Sequence, residues 1–466
     1  MVCTSMLSPA QATQPAEAGG SPVAVEQASG YLPVDPEMPP GSAPAVPAEA
    51  SQAEKGLTLH PLPAAWFAEK PRKTFFVYEH AVPAGSGEAT ACLAVGAFDH
   101  QESVALQPVL LPFRGEHLRA SLTLDERGHL WILAASGAAD RATQLFKSTK
   151  PYEVDEFTRF DGPAPELAQF WAPMGGQLLA LGIKPHESAV HPVFTVTDTP
   201  GEWQQPQPLS VLEGDHQLVT GQHRTKIGAA IRGPVIRGNS GEGTSLYYLE
   251  TSDGGKTWQT MRRAAVALPL KQPDSPTLVK DYASIAWRLH LKDITFDKFG
   301  NPTILYIVVR GGTNGAPAIR TWTTARWIGR EWETTGVLPA DGEADHGRLY
   351  VEPDRSWRLL ITTEAAGPGT RLTEWFSDDQ GRSWYRQFDA RLGKLGPVGL
   401  QKPVHSDPGF YAFWTGTGPG AVDAARIYFT TREGRLFLLP VEMDKPAQPP
   451  VSLPAATTTA APARTQ

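Results

Sequence analysis

The stretch Thr251-Ser252-Asp253-Gly254-Gly255-Lys256-Thr257-Trp258 decides how the rest of the chain is read. It follows the apolar run Ser245-Leu246-Tyr247-Tyr248-Leu249-Glu250, which has the composition of a β-strand. The pattern returns at Phe376-Ser377-Asp378-Asp379-Gln380-Gly381-Arg382-Ser383-Trp384. Both copies read Ser-x-Asp-x-Gly-x-Thr/Ser-Trp, give or take one residue before the glycine. Aspartate at such a turn accepts from backbone N–H groups two residues on, and glycine supplies the freedom that a tight reversal needs. The hydroxyl adds a second local hydrogen bond, and the tryptophan is then able to fold back over the hairpin. The repeat is a turn-building device, so Asp253 and Asp378 are read as structural, with no catalytic role.

These two stretches resemble the Asp box, or BNR repeat, of sialidase-type β-propellers. Weaker versions fill the gaps: Phe146-Lys147-Ser148-Thr149-Lys150-Pro151-Tyr152 before Phe157, Thr197-Asp198-Thr199-Pro200-Gly201-Glu202-Trp203, and Ala325-Arg326-Trp327-Ile328-Gly329-Arg330-Glu331-Trp332. With 148, 197, 252, 326, 377 and 431 as markers, successive gaps are about 50 to 75 residues. That is the repeat length of four-stranded propeller blades with insertions. Strand-like runs such as Thr74–Tyr78, Leu130–Ala134, Thr303–Val309 and Arg426–Thr430 alternate with turn clusters throughout. A second unit, an apolar run followed by Asp and a Gly-centred turn, recurs at Asp125–Gly128 and Asp297–Gly300, and more loosely at Asp354. The fold class expected is all-β, a seven-bladed β-propeller, with six blades as the alternative. Roughly 390 folded residues at about 55 per blade give seven. Leu436–Leu439 is expected to pair with Phe75–Val77 and close the ring.

Composition fits this reading. The chain has 466 residues with 44 Gly, 43 Pro and 13 Trp, as suits a turn-rich β protein. Residues 1–56 and 445–466 are rich in Ala and Pro and are expected to be disordered tails around a propeller at 57–444. A net charge of -7 argues against a nucleic-acid-binding surface. Two cysteines, Cys3 and Cys92, cannot make a disulfide framework, Cys92 reads as a small buried apolar residue, and no metal-ligand spacing is visible. Hence no cofactor and no metal are expected. No run is apolar and long enough to span a membrane, and the first residues lack the basic and apolar regions of a signal peptide.

Over residues 75–441 the chain resembles the BNR-4 group of bacterial propellers, which is similar to ulvan lyases and to rhamnose–glucuronate lyases and rhamnosidases. The residues that carry it are Leu291–Asp297 running into Gly300–Tyr306, Arg310-Gly311, Arg320-Thr321-Trp322, Gly347-Arg348-Leu349-Tyr350, Trp375–Gly381 and Phe410–Trp414. His117, eight residues before Asp125, matches the group's motif histidine, and His223-Arg224-Thr225 through Ala230–Gly233 sits where a polar site-lining segment belongs. The resemblance implies a polar cavity at the ring centre, a periplasmic or extracellular home, a monomer, and an acidic oligo- or polysaccharide as partner. It implies catalytic roles for His117, His223 and Arg224, and substrate binding by Arg232, Lys292, Arg310, His346 and Arg348. Lys292 has a plainer reading as the partner of Asp293, and Tyr350 as core. Several site positions depart from the group: His117 precedes Leu118, and the group's other histidine runs read Ser136–Ala139, Asp341–Ala344 and Gly396–Gly399. The expected activity is lyase-type β-elimination on uronate-containing glycans. The alternative is a propeller that binds a glycan or protein without turning it over. A sialidase fits less well, since Leu118-Arg119-Ala120-Ser121-Leu122 lacks the proline of the strand that such enzymes carry.

Overall fold

The computed structural model describes residues between 64 and 440, apart from 83–89, 103, 116–117, 137–142, 161–167, 174, 187–188, 239–240, 312–317, 344, 365–369, 392–409, 416–425 and 432–435. Both proposed tails lie outside these residues, as do His117, Ala344 and Gly396–Gly399. Described strands form seven antiparallel sheets. The first holds β1 (Ala65–Ala68), β2 (Lys73–Val82), β3 (Thr90–Asp99) and β4 (Val104–Gly115); the second β5 (Arg119–Leu124), β6 (Leu130–Ala135), β7 (Thr143–Ser148) and β8 (Phe157–Phe160). The third holds β9 (Ala168–Trp171), β10 (Leu178–His186), β11 (Ala189–Thr197) and β12 (Gln207–Pro208); the fourth β13 (Gln217–His223), β14 (Lys226–Gly238), β15 (Gly241–Thr251) and β16 (Leu278–Asp281). The fifth holds β17 (Arg288–Phe296), β18 (Pro302–Arg310), β19 (Ile319–Trp327) and β20 (Trp332–Pro339). The sixth holds β21 (His346–Val351), β22 (Trp357–Glu364), β23 (Thr370–Ser377) and β24 (Tyr385–Arg391), and the seventh β25 (Phe410–Thr415), β26 (Arg426–Thr431) and β27 (Leu436–Pro440).

Strands follow chain order within every sheet, and the first strands of successive sheets are neighbours from β1 through β5, β9, β13 and β17 to β21. This is a β-propeller, with each first strand on the inside of the ring. The sequence markers fall at or beside the ends of third strands, at Ser148, Thr197, Thr251, Trp327 and Ser377. Thr431 ends β26 in the same way, which puts β25–β27 in register with the second to fourth strands of a blade. The expected closure between Leu436–Leu439 and Phe75–Val77 is not made. Phe75 pairs with Trp66 on one side and Ala97 on the other, and β27 pairs with β26. A strand has two edges, and the hairpins flanking β2 use both.

The core lies between sheets. Phe75, Phe146, Trp171 and Tyr247, from four successive sheets, share one cluster; Tyr248 and Tyr306 belong to a second, and Trp322 and Trp357 to a third. The two repeated turns are equal in length. The hydroxyl oxygens of Thr251 and Ser377 accept from Gly255 N (2.9 Å) and Gly381 N (2.8 Å), and Asp253 and Asp379 accept from the backbone and hydroxyl of Thr257 and Ser383. Gly255 and Gly381 take φ values of 93° and 85°, which no β-branched residue adopts cheaply. Asp379, not Asp378, is thus the counterpart of Asp253, and Asp378 is exposed. Trp384 does fold back, donating to Gly381 O at 3.0 Å, whereas Trp258 packs on Phe194 of the preceding sheet.

A further device joins the inner strands. Backbone N–H groups on the inner edge of a blade have no strand beyond them to bond. The preceding blade supplies a side-chain acceptor instead: Ser121 Oγ for Phe170 N (3.2 Å), Gln169 Oε1 for Thr220 N (2.5 Å), Gln217 Oε1 for Leu291 N (3.0 Å), Asp293 Oδ2 for Leu349 N (2.9 Å). All four acceptor side chains are buried. An amide stranded there costs about 1–3 kcal/mol. Gln217→Leu is therefore expected to lower unfolding free energy by about that amount, and to speed hydrogen exchange at the Leu291 amide more than at amides elsewhere. Unchanged exchange at Leu291 would show that the amide is satisfied otherwise.

Candidate functional site

The strand Arg288-Leu289-His290-Leu291-Lys292 alternates basic residues with leucine. Leu289 and Leu291 are fully buried, while Arg288, His290 and Lys292 are half-buried, as a two-residue strand period requires. Val309 of β18 pairs with Arg288 on one side and Arg320 of β19 on the other, so these two arginines stand in one row of the sheet. One carboxylate serves the whole group. Glu343, on the connection from β20 to β21, lies 2.9 Å from His290 Nε2 and 3.5 Å from both Arg288 Nη2 and Arg320 Nε. The Lys292 ammonium donates to the Glu343 carbonyl at 2.6 Å. Lys292 sits at a β-bulge, skipped between the Leu291–Tyr306 and Asp293–Leu305 pairs, and a bulge re-aims a side chain.

Electrostatics follow from this crowding. The close approach of His290, charged when protonated, with the charges of Arg288 and Arg320, holds the Glu343 carboxyl down at about 2. Burial pushes the Lys292 ammonium down to about 8; Arg348 adds to this, and Asp345 and Glu343 oppose it. His346 is pushed to about 4 by burial and by the neighbouring Lys292 and Arg348, and burial also lowers His290. Arg232, opposite Gln217 in the β13–β14 pair, presses the same way on His290 and His216. The site therefore gathers positive charge faster than it gathers carboxylates, and its imidazoles are neutral at neutral pH.

Of the residues expected from sequence, Arg232, Lys292 and His346 meet here. Arg348 does not face a ligand: it is buried, donates to the Lys292 carbonyl at 2.9 Å and pairs with Asp293 at 3.5 Å. The plainer pairing read for Lys292 with Asp293 thus belongs to Arg348. Arg310 is exposed at the end of β18, 4.7 Å over the Trp287 ring, which itself stacks on Tyr282. His223 and Arg224 stand at the opposite end of the inner strands. His223 lies six positions after Gln217 along β13, about 20 Å of extended chain. They line a cavity of about 640 Å³ formed where β1, β5, β9, β13, β17 and β21 end, together with Lys70, Asp125, Lys298 and Glu352. Arg224 is a turn residue at φ 55° whose carbonyl accepts from Gln222 Nε2 at 2.5 Å. The His223 ring is half-buried against Gly300, and its basicity is lowered by burial and by Arg224 and Lys226. Sequence reasoning missed Arg288, His290, Arg320 and Glu343. The base–leucine alternation at 288–292 was the available signal for the first two.

His346 yields a pH test. Its folded-state pKa of about 4 lies below the unfolded value, so between the two the unfolded chain binds the extra proton and stability rises with pH. His346→Gln is expected to flatten part of the stability rise between about pH 4 and 6.5. His216, also buried and held at about 4, keeps the remainder. Denaturant unfolding across that range checks it, and an unchanged slope would refute the burial of a neutral ring at 346.

Comparison with known proteins places the fold. No family model matches the chain, and no curated protein does. Among solved structures, an ulvan lyase described as a new family of polysaccharide lyase, bound to -[GlcA(1-4)Rha3S]-, superposes with a TM-score of 0.58 at 15% identity. The match covers 81% of this chain and 94% of that one. A second structure of ulvan lyase gives 0.57 at 15% identity over the same shares. The β-propeller domain of the Trilobed protease from Pyrococcus furiosus gives 0.44 at 11% identity, covering 82% of this chain and 99% of that one. What the chain shares with the ulvan lyase is its fold, a β-propeller.

Proposed function

We propose that the protein acts on acidic, uronate-containing glycans at the cationic cluster around Glu343. One observation carries the reading: Arg288, His290 and Arg320 converge on a single half-exposed carboxylate position, with Lys292 and Arg232 alongside. Two guanidiniums over one carboxylate leave positive charge to spare, and guanidinium is the group that reads a carboxylate with two hydrogen bonds. The uronate-containing ligand of the ulvan lyase supports the same substrate class.

The chemistry we assign is β-elimination. Arg288 and Arg320 take the uronate carboxylate and stabilise the charge that develops on it as the adjacent C–H bond breaks. His290, neutral at working pH, accepts that proton. The freed electron pair forms the ring double bond, the bond to the leaving oxygen breaks, and the Lys292 ammonium protonates that oxygen. His223 and Arg224, about a strand length away, take no part in this step.

The test is ultraviolet absorbance during incubation with a panel of glucuronate polysaccharides, with reducing ends followed in parallel. Unsaturated product is expected, falling about 100-fold or more in Arg288→Ala and Arg320→Ala while His223→Ala retains activity. Reducing ends without absorbance would replace elimination with hydrolysis. Glycan binding without either product would favour a binding propeller, a reading supported by the histidine runs that this chain lacks.

A further inference from the structure

Glu343 raises a question that substrate binding alone does not answer, because the position best suited to a ligand carboxylate is already filled by the protein's own. Its three basic partners come from the first and third strands of one blade, rigid elements whose mutual register is fixed by Val309 between them. The carboxylate comes from the connection between β20 and β21, where Asp341, Gly342 and Glu343 belong to no strand. Its side chain is 28% exposed, so solvent reaches it. The backbone near it is held separately, by the Lys292 ammonium on the Glu343 carbonyl and by Gly342 N on Asp345 at 2.9 Å. The side chain can thus leave its partners by rotation about its own bonds while the connection stays in place.

From this geometry we infer that Glu343 is an internal stand-in for the ligand's carboxylate, an autoinhibitory contact that an incoming uronate must displace from Arg288, His290 and Arg320. This rests on the function proposed above. It makes Glu343 a competitor for the position that the ligand's carboxylate takes. A neutral sugar cannot compete with an intramolecular carboxylate held at high local concentration, whereas a uronate exchanges one charge-assisted pair for another at little net cost.

Removing the stand-in while keeping its shape is the test. Glucuronate, and methyl glucoside as a neutral control, are titrated calorimetrically into the full chain, wild type and Glu343→Gln, at one fixed low salt concentration. Glu343→Gln is expected to bind glucuronate at least about tenfold more tightly than wild type, as the loss of a competing charge pair requires. Methyl glucoside should be unaffected, and adding Arg320→Ala to Glu343→Gln should remove the gain. Glu343→Ala serves as the second variant, and thermal unfolding verifies that each variant is folded. Wild type that binds glucuronate while both variants bind it equally or less tightly would overturn the inference and make Glu343 an anchor that orients the arginines, leaving the proposed function standing. Absence of glucuronate binding in all three proteins would overturn the function, and the inference with it.

Discussion

The inner strands from β1 through β21 each present a bare edge to the ring centre, and the structure depends on how that edge is satisfied. In a flat sheet the next strand would bond those amides. Here the next sheet is turned away, and water in a narrow centre would be the alternative. At four junctions the chain supplies side chains instead: Ser121, Gln169, Gln217 and Asp293 each accept from an amide of the following blade's inner strand, and Thr244 accepts from Leu289 N at 2.8 Å. Each bond crosses a buried interface, where an unmet donor is costly and a met one is directional. Hydrophobic packing between Trp322 and Trp357, or among Phe75, Phe146 and Trp171, holds the sheets together without fixing their relative height. Hydrogen bonds to particular amides do fix it.

Fixing the height of the inner strands is what creates a site. Because first strands all run the same way, their starts gather at one mouth of the ring and their ends at the other. The start of β17 brings Arg288, His290 and Lys292, β19 brings Arg320, and the connection into β21 brings Glu343. The opposite mouth receives first-to-second-strand turns, where Asp125 and Asp297 are occupied with their own backbone. A propeller therefore offers two unlike rims. One is built of strand residues whose side chains are free to converge, the other of turn residues whose polar groups are already used.

That difference explains what could be read from sequence. Turn chemistry is local: an Asp, a Gly and a hydroxyl within seven residues carry their own reason, so Thr251–Trp258 and Ser377–Trp384 disclosed the blades. Even there the choice between Asp378 and Asp379 depended on which carboxylate reaches Ser383, which spacing alone does not say. Ring closure was misjudged because apolar strands such as Phe75–Val77 look alike whether they lie inside a sheet or at its edge. The site was harder still. Glu343 meets Arg288 across 55 positions of chain, and nothing near it in sequence announces a cationic partner. Arg348 carried the right charge in a matching motif, yet its guanidinium holds Asp293 and the Lys292 carbonyl. His223 and Arg232, nine residues apart, seemed to form one segment, but the hairpin between them sends Arg232 back along β14 to the far end of β13.

Adjacent positions on β17 show how closely scaffold and site are bound. Asp293 accepts the Leu349 amide and pairs with Arg348, which in turn donates to the carbonyl of Lys292. The bulge that gives Asp293 its place in the ladder is the same one that turns Lys292 toward the Glu343 carbonyl. The irregularity thus serves two ends, closing the junction between the fifth and sixth blades and supplying the ammonium beside the arginines. Loss of function after changing Asp293 would report this coupling rather than any contact between Asp293 and a ligand. Residues that touch the ligand have to be sought one position away, among the half-buried bases that alternate with leucine.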